Sequence, residues 1–105
     1  MPLLLGLLTM LAAQLLDLGT FVTMIRRLGP SAEANPIVSA ILGTSGLDVL
    51  VVAKLLLVVL VGAVACSLMT AHGPKARLAG EVLLGFAIVA GIIGGWSNAA
   101  TIGVL

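Results

Sequence analysis

Three long apolar stretches divide the chain, at about residues 3–25, 47–71 and 82–105. The first stops at Arg26-Arg27, and the second is closed by Gly73-Pro74 with Lys75 and Arg77 just beyond. A helix rising ~1.5 Å per residue needs about 20 residues to cross roughly 30 Å of hydrocarbon, and each stretch is longer than that. None alternates with a period of two, which excludes a membrane β-barrel. The pattern predicts an all-α integral membrane protein with three transmembrane helices, in a single transmembrane domain covering 1–105.

The connection between the first two stretches has a pattern of its own. Asn35-Pro36 sets a favoured N-cap before the residue best suited to the first helical position. Ile37, Val38, Ile41 and Leu42 then form an apolar stripe, and Gly43 is a natural stop. These positions predict a short interfacial or re-entrant helix over 36–42. Ser45 followed by Asp48 resembles a capping box that opens the second long helix.

Composition sharpens the reading. The chain is 61% hydrophobic and 9% charged, whereas soluble domains are nearer 45–50% apolar and about 25% charged. A soluble domain of this size could not bury that much apolar surface in its own core. With five Lys and Arg and a net charge of +1, there is no basic patch for nucleic acid. The single cysteine, Cys66, excludes an internal disulfide and multi-cysteine zinc sites, and reads as a small packing residue. No Lys or Arg precedes the apolar run at 2–16, so that run reads as a mature helix rather than a signal peptide. Arg26 and Arg27 in one loop balance Lys75 and Arg77 in the other, so charge alone sets no orientation.

Two charges lie in the wrong solvent. Asp17 and Lys54 sit inside apolar stretches, where each would cost about 2.5–3.5 kcal/mol at a helix centre. At ~1.5 Å per residue, Asp17 lies roughly 13 Å and Lys54 roughly 12 Å from the first-loop face. The chain reverses between them, so they fall at one level and can pair. Asn98, about 10 Å below the same face, joins them. Gln14, Asp17 and Thr20 share one stripe of the first helix, and Ser97 neighbours Asn98. The expected intramembrane polar cluster is therefore Asp17, Thr20, Lys54 and Asn98. One reading is a buried pair that holds the helices in register; the other is a proton or ion site, since intramembrane ionisable groups are functional candidates. Equal depth of opposite charges favours the first.

The third stretch carries Ala87, Gly91, Gly95, Ala99 and Gly103 at four-residue spacing, a helix-packing stripe that lets another helix approach closely. Its partner is either another protein or the other helices of the same chain. Gly62, Cys66 and Thr70 form a shorter stripe on the second. Trp96 reads as an interfacial anchor. His72 falls on the face opposite Glu33 and Asp17, so no metal site forms, and no cysteine or serine has a histidine at its depth. No catalytic constellation and no cofactor are expected, and an enzyme is not.

Asp17-Leu18-Gly19-Thr20, the loop Glu33-Ala34-Asn35-Pro36, Lys54 and Asn98 together resemble a family of small prokaryotic membrane proteins catalogued as a domain of unknown function. Members carry an Asp and a Thr on the first helix and a Glu-x-Asn-Pro loop. The resemblance covers about residues 10–100, and Phe21 stands where members often have a second Thr. It implies a three-helix fold in the cell (inner) membrane with a cytoplasmic N-terminus, and no activity. The expected function is therefore non-enzymatic: association in the lipid bilayer as a homo-oligomer or as an accessory subunit with another membrane protein. The alternative is an oligomeric ion or proton conduit of a holin-like kind.

Overall fold

The computed structural model describes residues 2–33 and 35–104. They form helices α1 (Leu3–Leu28), α2 (Pro36–Thr70) and α3 (Pro74–Thr101), with one 3-10 turn at Pro30–Ala32 and no strand among the described residues. All three helices are long and apolar enough to cross a membrane.

The helix ends follow local chemistry. Arg26 and Arg27 occupy the last turn of α1, where positive charge favours the helix dipole. Gly29, at φ 84°, turns the chain away while its N–H bonds to the Ile25 carbonyl. At α3 the apolar pattern misplaces both ends: the helix begins at Pro74, not near 82, and closes at Thr101, not at 105. Pro74 takes the first helical position behind Gly73, and its fixed φ is preorganised for helix. The polar residues that follow it are invisible to a hydropathy pattern yet are good helix formers. Likewise α1 runs on to Leu28 rather than stopping at 25.

The expected short helix over 36–42 is not a separate element. Asn35 caps the start, its Oδ1 accepting from the N–H groups of Ile37 (3.0 Å) and Val38 (3.4 Å). The helix then continues through Gly43 and bends only at Gly46, whose φ of 87° and ψ of 170° are not helical. Gly43 does not end it because Leu42 is buried against Phe21, Met24 and Ile25 of α1, which holds this arm in place. Ser45 makes no side-chain capping bond among the described residues. Only glycine readily adopts the Gly46 conformation, and a side chain there is expected to cost about 1–3 kcal/mol. Gly46→Ala should lower thermal stability in mild detergent by that amount, whereas Gly43→Ala, with open space around it, should not. Equal melting of the two variants would show that the bend relaxes freely.

α1 and α3 pack closely along their lengths, while α2 lies more against α3 than against α1. Ala87, Gly91, Gly95 and Ala99 are buried, and the first three meet α1. A Cβ at Gly91 would fall 2.7 Å from the Ala13 carbonyl carbon, and one at Gly95 would fall 2.7 Å from Leu16 Cγ. Gly103 lies past the end of α3 and is exposed. Two apolar cores result. Met10, Ala65, Met69, Leu84 and Ala87 fill the half near the α2–α3 turn, and Phe21, Met24, Ile25 and Leu42 fill the other. A polar layer separates them.

Candidate functional site

α1 supplies the centre of that layer. Asp17 meets Lys54 of α2, whose Nζ donates to Oδ2 at 3.0 Å. Asn98 of α3 points its amide group at the same carboxylate: Nδ2 lies 3.1 Å from Oδ1, 3.2 Å from the Asp17 carbonyl oxygen and 3.2 Å from Thr20 Oγ1. An amide has two hydrogens, so these three contacts share them. The Thr20 hydroxyl donates to the Leu16 carbonyl at 2.7 Å, leaving its lone pairs to Asn98. Both Asp17 oxygens are thereby engaged, by two different helices. Gln14, one turn away, donates to the Ala87 carbonyl at 2.7 Å and ties α1 to α3 again.

Gly94 makes the arrangement possible. A Cβ there would fall 2.5 Å from Asp17 Oδ1, so only glycine admits the carboxylate. Gly94 lies outside the four-residue stripe that begins at Ala87, so small-residue spacing does not single it out. The available signal was its position one helical turn before Asn98, on the same face.

The pair is not sealed. Asp17 and Lys54 are 20% and 30% exposed and line a half-open cavity of about 300 Å³ together with Glu33, Asn35, Ser97 and Asn98. Its walls are apolar, formed by Phe21 and Val38 near the first loop and by Leu50 and Val51 along α2. Glu33 stands at the loop end of the cavity, where its Oε1 accepts from the Asn35 N–H at 2.9 Å. It has no cationic partner among the described residues. On the other side of Lys54 a second cavity of about 300 Å³ is lined by Met10, Leu57, Val58, Leu83 and Phe86, with Gln14 at its edge. That cavity borders the Met10–Leu84 core.

Other singled-out residues lie elsewhere. Pro36 occupies the first turn of α2, Trp96 is exposed on α3, His72 lies in the α2–α3 turn, and Cys66 is half-buried on α2. No group of three metal-ligating side chains occurs among the described residues. No protein family, curated protein or solved structure matches the chain. Chemically, the cleft offers opposite charges, an amide and a hydroxyl that can bind a polar group. Its carboxylate is already doubly hydrogen-bonded.

Proposed function

We propose that this is a non-enzymatic, multi-pass protein of the cell (inner) membrane that binds a polar group in the cleft, working as a homo-oligomer or as an accessory subunit of a larger complex. One observation carries the reading: the Asp17–Lys54 pair faces an open cleft instead of being closed over. Charge at that depth is poorly solvated by hydrocarbon, so water, a ligand or a partner must cover it. The α3 stripe lends association no support, because α1 of the same chain already occupies it. A conduit gains none either, since the second cavity beyond Lys54 is walled by apolar side chains and adds only the Gln14 amide to receive an ion. Lys54 stands between the cleft and that second cavity. By the family resemblance the N-terminus is cytoplasmic, the Glu33 loop lies outside at the interface, and the cleft opens there.

Thiol labelling of intact cells tests this reading, in a Cys66→Ala background with a membrane-impermeant reagent. Val51→Cys and Ser97→Cys, which line the cleft, are expected to react from outside. Val58→Cys and Leu83→Cys, beyond Lys54, are not. Reaction at all four positions would indicate a through path and favour the conduit. Protection of all four from both faces would leave the pair a purely structural tie, and reaction only in inverted vesicles would reverse the orientation.

A further inference from the structure

The two ends of the cleft have opposite unmet needs. At its floor, each Asp17 oxygen already accepts a hydrogen bond, Oδ1 from Asn98 and Oδ2 from Lys54. The Lys54 ammonium has three N–H donors, and among the described residues it uses only the one given to Asp17. The floor therefore has spare donors. At the rim, the Glu33 carboxylate receives a single backbone N–H, which leaves most of its acceptor capacity unused. The rim has spare acceptors. The distance between these two ends is spanned by one cavity of about 300 Å³, at the small end of the range for ligand sites.

We infer that the cleft holds a small zwitterion, with an oxyanion on Lys54 and an ammonium on Glu33; the inference rests on the binding reading above. The charges argue for this class. Asp17 and Glu33 against Lys54 leave the lining one negative charge in excess, so a simple anion would add like charge. A simple cation would satisfy Glu33 and leave the Lys54 donors unmet. A zwitterion meets both ends without changing the net charge of a low-dielectric site, where unbalanced charge is most expensive. Apolar walls at Phe21 and Leu50 suit the carbon linker between the two groups. A phosphodiester of ethanolamine has this chemistry, with one negative and one positive charge, either as the free solute glycerophosphoethanolamine or as the headgroup of phosphatidylethanolamine.

Calorimetric titration of the purified chain in mild detergent, with free glycerophosphoethanolamine as probe, tests the inference. Ethanolamine and inorganic phosphate are each expected to bind at least tenfold more weakly, because each meets one end only. Glu33→Gln retains the oxygen that accepts from Asn35 but loses the charge, and should weaken glycerophosphoethanolamine binding about tenfold with its helical circular dichroism unchanged. Leu50→Trp should block binding by filling the cavity. Native mass spectrometry separates the sources: retention of phosphatidylethanolamine over phosphatidylglycerol, without binding of the free solute, assigns the lipid headgroup. Binding of the free solute assigns the soluble zwitterion. If neither probe binds, or if phosphate alone binds as well as glycerophosphoethanolamine, the inference is overturned. Labelling of Val51→Cys would still stand in that case, so failure of the ligand class is distinguishable from failure of the cleft reading.

Discussion

Asp17→Asn and Lys54→Met should each destabilise the protein by roughly 3 kcal/mol, while the double variant recovers much of the loss. The physical reason is asymmetric. Breaking a buried pair strands one charge without its partner, at a cost of about 3–5 kcal/mol, whereas removing both charges together can be nearly neutral. The low end of that range applies because the pair is partly open to the cleft, at 20% and 30% exposure. Asp17→Asn also turns an acceptor toward the Asn98 amide into a mixed group, so the amide must choose its orientation. Thermal unfolding in detergent across the four-member cycle measures the coupling, which should exceed the ~0.5 kcal/mol scatter of independent sites. Additive losses would mean that the 3.0 Å contact contributes no net stability. A stable double variant that no longer binds the cleft's ligand would instead separate the two roles, leaving the pair dispensable for folding and required for binding.

Gly91→Leu is expected to disrupt the protomer itself, not merely an assembly of protomers. Its Cβ alone would lie 2.7 Å from the Ala13 carbonyl carbon and 2.8 Å from the carbonyl oxygen. These are backbone atoms that cannot rotate aside, so α1 and α3 must separate. Overpacking by single methyl-sized groups typically costs about 1–3 kcal/mol, which sets the expectation for Gly91→Ala, and leucine should exceed it. Gly95→Leu should be somewhat milder, because its nearest neighbours are Leu16 side-chain atoms that have rotamers to move into. Gly85→Leu, with nothing within 4 Å, is the control and should melt like wild type. Folded protein recovered per cell and melting temperature in detergent check the ranking. If Gly91→Leu folds normally and loses only higher assemblies on a sizing column, the stripe serves a partner and α1 and α3 are held together by other contacts.

Much of the architecture was legible along the chain because burial in lipid leaves a crude signal. An apolar run of sufficient length predicts a spanning helix whatever its neighbours, and α1, α2 and α3 each contain the run expected of them. The boundaries were less legible. Lys75 and Arg77 read as loop in a hydropathy pattern, yet Pro74 starts α3 before them. Gly43 reads as a stop, yet the Leu42 contact with α1 carries the helix past it to Gly46. At Gly43 a local preference of about 1 kcal/mol was outweighed by packing, whereas Lys75 and Arg77 are polar residues that favour helix and only look like loop to a hydropathy pattern.

By itself, the sequence determined how many helices can span a membrane and at what depth the polar groups lie. Both follow from one-dimensional quantities, the length of an apolar run and the fixed rise per residue. Equal depth is a necessary condition for Asp17 to meet Lys54, and it is visible in the spacing. Direction around the helix axis is a different matter, because it depends on how three helices rotate against one another. Only the tertiary structure decided that Ala87, Gly91 and Gly95 of the stripe meet α1 of the same chain. The same packing admits the Asp17 carboxylate against Gly94. It also leaves α2 standing off from α1, so the ion pair borders a cleft instead of a closed core. Side-chain shape at the contact sets those rotations, and no linear pattern of hydrophobic and polar residues encodes them alone.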